Sequence, residues 1–216
     1  MAQKNFKVIL SGRNLADGDK KANDLVNQGL DGHFVEIDVS NLEKLPEMAS
    51  SVIKKFGFID ILVNNAGIYI DSEDLDEFPS FLDVTPEIFS KTFDTNLFGP
   101  MLLTQLFYPF IHKNGLVINV SSGMGKLNTI DDRSGHVAYR CSKASLNAFS
   151  KSLQFQKNDQ NIKIISMCPG WVRTEMGGLN APKSLAEGAN DIVKLILNRE
   201  KVKSGSFYYD FIEQKL

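Results

Sequence analysis

The sequence has few residues that bind metals or form disulfides. It contains two cysteines and three histidines among 216 residues, and neither Cys141 nor Cys168 belongs to a Cys-x-x-Cys or Cys-x-x-His pattern. We therefore expect no metal site. Because Cys141 falls within a predicted helix and Cys168 within a predicted strand, we expect both to be buried free thiols in a reducing compartment.

Long apolar runs and a surplus of one charge sign are also missing. No hydrophobic run approaches the length that spans a membrane, and residues 1–5 are too short and too polar for a signal peptide. The net charge is −2 without a basic stripe, which argues against a nucleic-acid partner. With 43% hydrophobic residues, the composition predicts one globular domain over residues 1–216, located in the cytoplasm.

Short apolar runs alternate with longer helical patterns along the whole chain, without a linker between them. This alternation predicts an α/β fold in which parallel strands are joined by crossover helices. Strands are predicted at 6–11, 33–37, 59–64, 115–121, 162–168 and 206–209, and helices at 17–28, 41–56, 85–111, 137–157 and 184–198.

Tyr139 and Lys143 form the most informative pair in the sequence. If the segment after Tyr139 is helical, the i, i+4 spacing puts the phenol and the ammonium on one face, one turn apart. A nearby ammonium favours the phenolate and lowers the pKa of a phenol from about 10 toward the working pH, which favours general acid catalysis. Ser122, which follows the apolar run 115–120, would hold the reacting oxygen. The alternative is an ordinary pair of surface residues on an amphipathic helix.

Other predicted strand ends also carry residues that suit a ligand site. The run 59–63 stops at Asn-Asn-Ala-Gly (64–67), where small residues let a ligand approach the backbone closely. The run 162–168 is followed by Pro-Gly-Trp-Val-Arg-Thr (169–174), and Asp-Thr-Asn-Leu-Phe-Gly-Pro (94–100) lies in a helical stretch between them. In open α/β sheets, ligands bind at the carboxyl ends of the strands. An ordinary turn is the alternative for Asn-Asn.

In this order, the motifs Asn-Asn-Ala-Gly, Asn-x-x-Gly, Ser-Ser, Tyr-x-x-x-Lys and Pro-Gly-Trp-x-x-Thr resemble the short-chain dehydrogenase/reductase family. The context of Ser122, Tyr139 and Trp171 is most similar to its carbonyl-reductase branch, and the resemblance runs from about residue 6 to the C-terminus. It implies a Rossmann-like, doubly wound parallel sheet with helices on both faces. It also implies an oxidoreductase that moves hydride between a nicotinamide cofactor and a small-molecule carbonyl or secondary alcohol.

The resemblance further implies roles for individual residues. Tyr139 would be the general acid, Lys143 would lower its pKa and bind the nicotinamide ribose, and Ser122 would orient the carbonyl. Asn96 would complete a proton relay. The residues implied to bind the cofactor are Arg13, Asp38, Val39, Asn65, Ala66, Gly67, Tyr139, Lys143, Pro169, Gly170, Val172 and Thr174. For Asp38, a polar residue that closes a strand is an equal alternative.

The interval between the Ser122 and Tyr139 positions is several residues longer than is usual in the family. We therefore expect residues 123–136 to form a loop on the substrate side. The predicted helix 85–111, together with the helix that begins near Tyr139, resembles the dimer surface of the family, so a homodimer is possible. Core packing within one chain is the alternative for each of these residues.

The glycine-rich element of the family is absent. The family opens with a strand, a turn of the type Thr-Gly-x-x-x-Gly-x-Gly and a helix whose N-terminus receives the cofactor pyrophosphate. The only candidate, residues 11–18, has Asn-Leu-Ala where a glycine should fall. Residues 12–38 have room for one helix and one strand, whereas the family needs two of each there. We therefore align residues 6–11 with the second strand and expect the first strand and helix to be missing, through truncation, a shortened gene reading or evolutionary loss.

This alignment places Arg13 directly after the second strand, where relatives select their cofactor. An acidic residue at that position favours NAD, whereas an arginine can pair with the 2′-phosphate of NADP. The expected cofactor is therefore NADP, with NAD possible. A solvated loop arginine is the alternative.

Loss of the first strand has a consequence for the sheet, because that strand lies between the second and fourth in the doubly wound order. Residues 7–11 and 59–64 should then pair directly, or accept a strand from another chain, or leave a marginal and aggregation-prone product. Two functions stay open: an NADP-preferring oxidoreductase, and a dehydrogenase-like protein that cannot bind cofactor and has only a partner-binding or structural role.

Overall fold

A computed structural model of the chain describes residues 1–71, 80–130, 135–155 and 160–216. In these ranges, seven strands and six α-helices follow one another along the chain. The strands are β1 (Val8–Gly12), β2 (Gly32–Glu36), β3 (Ile59–Asn64), β4 (Ile111–Val120), β5 (Lys163–Cys168), β6 (Phe207–Tyr209) and β7 (Ile212–Gln214), and the helices are α1 (Leu15–Asn27), α2 (Leu45–Phe56), α3 (Pro86–Phe93), α4 (Gly99–Phe107), α5 (Val137–Leu153) and α6 (Leu185–Leu197).

The strands form two sheets. Strands β1 and β2 pair in parallel, with Val8 opposite Gly32. Strands β3, β4, β5 and β6 pair in parallel in that order, and β7 is antiparallel to β6. Parallel strands joined by helices confirm the predicted α/β fold.

Two elements differ from the sequence-based expectation. The predicted helix over 85–111 is interrupted by a π-helical turn, Asp94–Phe98, and it ends at residue 110, where β4 begins four residues earlier than predicted. The short strand β7 was not predicted at all. Pro100 explains the interruption, because proline has no N–H to donate to the carbonyl of Asn96 four residues earlier and its ring crowds that carbonyl.

The hydrophobic core lies on both faces of the five-stranded sheet. Strand β4 lies between β3 and β5, and its residues Leu116, Val117 and Ile118 are all 0% exposed. Leu116 and Ile118 pack on one face with Leu195 and Ile196 of α6. A second cluster joins α2, α4 and Ile37, which follows β2, with partly buried residues of β3. The two sheets therefore share hydrophobic packing although they do not share hydrogen bonds.

Strands β1 and β3 each have one edge without a neighbouring strand among the described residues. Among the described residues, β1 pairs with β2 alone and β3 with β4 alone, so the direct pairing offered as one expectation is not formed. Near the N-terminus, the partly buried side chains of Met1 and Phe6 pack against the hydrophobic cluster beneath α6. The side chains of β3 before Asn64 are only partly buried or exposed, whereas β4 is buried from Gly115 to Val120.

No helix of the described chain is both long enough and apolar enough to cross a lipid bilayer. The helices are instead short elements with defined ends. Thr85 caps α3 by accepting a hydrogen bond from the amide of Ile88, and Ser184 and Glu187 form a capping box at the start of α6.

Amide hydrogen exchange should expose the open edges directly. Successive amides of a parallel strand point to opposite neighbours, so about every second amide of β1 and β3 has no strand to bond. We expect those amides to exchange orders of magnitude faster than the amides of β4, which has a strand on each side. The measurement is residue-resolved exchange by NMR. Protection of every β3 amide at the level of β4 would mean that a further strand pairs with that edge.

Candidate active site

The carboxyl ends of three adjacent strands bring the candidate residues together. Because β3, β4 and β5 are parallel and in register, Asn64 lies opposite Asn119, and Asn119 lies opposite Ser166. The segments that follow these strands therefore begin at one edge of the sheet, as expected for a ligand site in an open α/β fold.

A chain of buried hydrogen bonds fixes the register of β3, β4 and β5 at the ends of these strands. The Asn64 amide nitrogen donates to Asn119 Oδ1 at 2.7 Å, and the Asn119 nitrogen donates to Ser150 Oγ at 2.8 Å. The hydroxyl of Ser166 donates to the same Ser150 oxygen at 2.8 Å. Since Ser150 belongs to α5, this network attaches the helix to all three strands. A one-residue slip of any strand would leave several buried polar groups without partners, at a cost of about 1–3 kcal/mol each.

Helix α5 presents Tyr139 and Lys143 on its buried face. Tyr139 is 9% exposed and Lys143 is 3% exposed, and the ammonium lies 5.6 Å from the centroid of the phenol ring. The Lys143 ammonium also donates to the carbonyl of Val120 at 3.0 Å. The prediction that Tyr139 and Lys143 lie on one face of a helix is therefore confirmed. Because both side chains are buried, they are not an ordinary pair of surface residues.

The same helix corrects the expectation for Cys141. Its thiol is exposed, whereas Cys168 at the end of β5 is buried as predicted. The buried positions of α5 include Ala138, Tyr139, Ser142 and Lys143, so a residue two positions after Tyr139 lies on the opposite face. A position within a helix did not by itself predict burial.

Ser122 is held against Tyr139 by the turn that follows β4. Its side-chain oxygen accepts a hydrogen bond from the amide of Met124 at 3.1 Å, which starts a 3-10 turn at Gly123–Gly125. A Cβ at Gly125 would stand 2.7 Å from the carbonyl carbon of Lys143, so only glycine allows this close approach of the turn to α5. The Ser122 side chain lies near enough to the Tyr139 phenol to lower its pKa.

Burial dominates the ionisation of both residues. It raises the pKa of Tyr139 to about 12, which the side chain of Ser122 offsets in part and the nearby Cys168 and Asp71 increase. Burial also lowers the pKa of Lys143 to about 8. Lys143 is not among the groups that shift the Tyr139 pKa, so the expected lowering by the ammonium is not found. At neutral pH the phenol carries its proton and can donate it.

Asn96 occupies the π-helical turn and connects three segments. Its side-chain Oδ1 accepts from the amide of Ile68 at 2.8 Å, and its Nδ2 donates to the carbonyl of Ile68 at 2.9 Å and to Ser142 Oγ at 3.1 Å. The amide of Gly99 closes the turn on the carbonyl of Asp94. Such π turns are frequent at functional sites because they redirect one side chain.

Two glycines permit the backbone approaches around Asn96. A Cβ at Gly99 would lie 2.4 Å from the carbonyl oxygen of Val39, so the loop after β2 sits directly on the start of α4. A Cβ at Gly67 would lie 3.3 Å from Lys143 Nζ and 3.4 Å from Asn96 Oδ1. The absence of a side chain at Gly67 therefore lets the backbone pack closely against Lys143 and Asn96.

The segment after β5 is tied down by Lys183. Its ammonium donates to the carbonyl of Pro169 at 3.3 Å and to the buried carboxylate of Asp191 at 2.7 Å. Gly170 has a φ of 86°, and Val172 forms a parallel bridge with Lys183. Thr174 is exposed, and its hydroxyl accepts from the amide of Gly177 at 3.0 Å.

The remaining predicted residues follow the ends of strands in both sheets. Asn65 and Ala66 are exposed directly after β3, and Arg13 is exposed directly after β1. Asp38 accepts hydrogen bonds from both the amide and the hydroxyl of Ser40, at 3.0 and 2.7 Å. Asp38 therefore has the local turn-forming contacts that the alternative interpretation anticipated. The loop predicted over 123–136 contains two short 3-10 turns, and its residues 131–134 lie outside the described part of the chain.

Three residues beside Tyr139 were missed by the sequence-based prediction. Asp71 is buried and accepts hydrogen bonds from the amides of Ala138 and Tyr139. The ring of Tyr69 meets the ring of Tyr139 edge-on at 5.3 Å, and its hydroxyl bonds His136 Nδ1. One signal was available in the sequence: Gly135 and His136, directly before α5, cannot supply the capping side chain that a buried helix start requires.

A protein usually holds a metal ion with three or more His, Cys, Asp or Glu side chains. No group of three His, Cys, Asp or Glu side chains within residues 1–71, 80–130, 135–155 and 160–216 is placed to hold one.

Replacement of Lys143 by methionine should change the pH dependence of stability. The folded chain titrates this lysine near 8 and the unfolded chain near 10.5, so between these values the unfolded chain binds more protons and wild-type stability rises with pH. Below pH 8 the buried Lys143 is charged, and the desolvation of this charge lowers the free energy of unfolding of the wild type by its full amount. The stability of Lys143→Met relative to wild type should therefore fall by about 3 kcal/mol between pH 8 and 10.5.

Denaturant unfolding at several pH values tests this, and Lys151→Met is the control for removing an exposed lysine from the same helix. A difference between Lys143→Met and wild type that does not change with pH would show that the Lys143 ammonium is as well solvated in the folded chain as in the unfolded one.

Comparison with known proteins agrees with the fold. Residues 1–184 match the short chain dehydrogenase family. An oxidoreductase of Schizosaccharomyces pombe is 30% identical over 200 residues, covering 82% of this chain and 76% of that protein. Carbonyl reductase (NADPH) 1 of Homo sapiens is 29% identical over 231 residues, covering 88% of this chain and 81% of that protein.

Solved structures give the same result. The carbonyl reductase Sniffer of D. melanogaster superimposes with a TM-score of 0.79 at 27% identity, covering 94% of this chain and 85% of that structure. A family match over most of the chain, relatives that align over more than four-fifths of it and a shared fold lead to one conclusion. The chain belongs to the short-chain dehydrogenase family of oxidoreductases.

Proposed function

We propose that this chain reduces carbonyl compounds with NADPH, with Tyr139 as the proton donor. The observation that carries the proposal is the buried pair of Tyr139 and Lys143 on one face of α5, with the ammonium 5.6 Å from the centroid of the phenol ring. A phenol that keeps its proton at neutral pH, in a site closed to bulk water, suits a general acid for a developing alkoxide.

The roles of the side chains follow from their positions. Ser122 donates a hydrogen bond to the substrate oxygen and orients it toward Tyr139. The phenol then transfers its proton to that oxygen, while the Lys143 ammonium stabilises the phenolate that forms. Because the pKa of Lys143 is about 8, roughly nine in ten of these side chains are charged at pH 7. Asn96 holds the Ile68 backbone and so fixes the floor of the site.

The residues present fit the cofactor at its two ends. The Lys143 ammonium beside the backbone of Gly67 suits the nicotinamide ribose, and the exposed guanidinium of Arg13 suits a 2′-phosphate. Asp38 and Val39 would lie at the adenine, Asn65 and Ala66 along the adenosine, and the segment of Pro169, Gly170, Val172 and Thr174 at the nicotinamide. When bound, NADPH supplies the hydride that reduces the carbonyl carbon.

The relatives support this assignment of cofactor and reaction. The human relative is named as a carbonyl reductase that uses NADPH, and the fly structure is named as a carbonyl reductase. The substrate is a small-molecule carbonyl or the corresponding secondary alcohol. A homodimer through α4 and α5 is part of the proposal, although Leu103 and Phe107 of α4 already pack against α2 within the chain.

Titration with NADPH tests the proposal most simply. Binding should quench the fluorescence of Trp171, which lies in the segment after β5, or enhance the emission of NADPH. Absence of binding at millimolar NADPH would favour the alternative, a dehydrogenase-like protein without cofactor chemistry, because the sequence has no glycine-rich turn for the pyrophosphate.

Tyr139→Phe should remove carbonyl reduction while preserving the affinity for NADPH, because it deletes the donated proton and little of the binding surface. We expect kcat to fall by about 10²–10⁴-fold. Tyr108→Phe is the matched control, since it removes the hydroxyl of another partly buried tyrosine in the turn after α4. Steady-state kinetics and NADPH titration provide the two readings. Near-normal turnover in Tyr139→Phe would show that another group donates the proton.

Arg13→Glu should shift the cofactor preference from NADPH toward NADH, because it replaces a partner of the 2′-phosphate with a like charge. A charge-assisted hydrogen bond contributes about 1.5–3 kcal/mol, so the ratio of the two kcat/KM values should change by about tenfold or more. Lys21→Glu makes the same charge change at an exposed position of α1 and should leave the ratio unaltered. An unchanged ratio in Arg13→Glu would make Arg13 a solvated loop residue.

A further inference from the structure

Asp71 is a buried carboxylate placed against the start of the catalytic helix. It is 5% exposed, and its Oδ2 accepts a hydrogen bond from the amide of Ala138 at 2.7 Å. Both of its oxygens accept from the amide of Tyr139, at 3.0 and 3.2 Å. The carboxylate therefore bonds the backbone of the residue whose phenol is proposed to donate the proton.

Asp71 caps the start of α5 from a distant segment, because the residue at the N-cap position makes no side-chain cap hydrogen bond. His136, the residue before the helix, has a φ of 64° and makes no side-chain cap hydrogen bond, and the first turn contains no acidic residue. The first amides of a helix need acceptors, and a negative charge near them is stabilised by the helix dipole. Asp71, which lies 67 residues before Ala138 in the chain, supplies both the hydrogen-bond acceptors and the negative charge.

The segment that carries Asp71 also contacts the other side of the site. The backbone of Ile68 makes two hydrogen bonds with the Asn96 side chain, and Tyr69 packs edge-on against the Tyr139 ring. Residues 68–71 therefore connect the π-helical turn that holds Asn96 with the helix that holds Tyr139. A displacement of residues 68–71 would therefore affect the positions of both Asn96 and Tyr139.

We propose that Asp71 is a positioning residue for Tyr139, acting through the first amides of α5. This inference rests on the proposed function, since it concerns the residue that donates the proton. The hydrogen bonds of Asp71 are to the backbone of Ala138 and Tyr139 and not to the phenol. Its loss should therefore loosen the placement of the phenol and lower kcat, while the KM for NADPH stays unchanged.

Two substitutions separate the parts of this contact. Asp71→Ala removes every acceptor and should lower kcat between about ten- and hundredfold, as expected for a misplaced catalytic group. Asp71→Asn keeps one acceptor oxygen without the charge and should restore part of the loss. Amide exchange of Ala138 and Tyr139, read by NMR, should become about tenfold faster in Asp71→Ala and less so in Asp71→Asn.

Thr85→Ala is the control for a lost helix cap away from Tyr139, because Thr85 caps α3 with a single hydrogen bond to Ile88. It should lower stability without changing kcat or exchange in α5. Unchanged kcat and exchange in both Asp71 variants would overturn the proposal, as would losses that merely follow global stability in the way that Thr85→Ala shows. If Asp71→Ala does not fold, Asp71→Asn decides by the same readings.

The exchange reading also separates this inference from the proposed function. A wild-type chain without NADPH-dependent reduction would contradict the function, whereas the dependence of the Ala138 and Tyr139 amides on Asp71 is measured without turnover. Slow exchange that persists in both Asp71 variants would contradict the positioning role whatever the activity of the chain.

Discussion

The two hydrogen bonds between the Asn96 side chain and the backbone of Ile68 join the helical layer to the edge of the sheet. They exist because Pro100 and Gly99 interrupt the regular helix and turn Asn96 toward the strand end. The third bond of Asn96, to Ser142, reaches α5 in the turn that also carries Tyr139 and Lys143. A single buried amide thus links the three segments whose relative position defines the site, and an unsatisfied amide there would cost about 1–3 kcal/mol.

The candidate site lies in the half of the molecule that contains the five-stranded sheet. Asn96, Ser122, Tyr139 and Lys143 rest on β3, β4 and the helices packed on them, and the buried network from Asn64 to Ser150 makes that half rigid. The exposed Arg13 belongs to the two-stranded sheet instead. A cofactor that touches both Arg13 and Lys143 would therefore span the two sheets. Its affinity would depend on the packing that holds them together, including the contact of Val39 with Gly99.

The sequence predicted the parts of this structure that local pattern determines. Alternating apolar runs gave the order of strands and helices, and the i, i+4 spacing gave the shared face of Tyr139 and Lys143. It did not predict the π turn, although Pro100 was a visible signal. The exposure of Cys141 depends on which face of α5 is buried, and the raised pKa of Tyr139 depends on desolvation by the whole fold. Asp71 could not be assigned, because its partners are 67 and 68 residues away in sequence.

The transfer of hydride itself is the claim on which the functional account depends. Incubation of the chain with NADPH deuterated at the transferred position and a panel of aldehydes and ketones, followed by mass spectrometry of the products, measures it directly. The account predicts an alcohol product that carries one deuterium on the former carbonyl carbon. Failure of every carbonyl compound to yield a labelled alcohol, with NADPH bound to the chain, would contradict it.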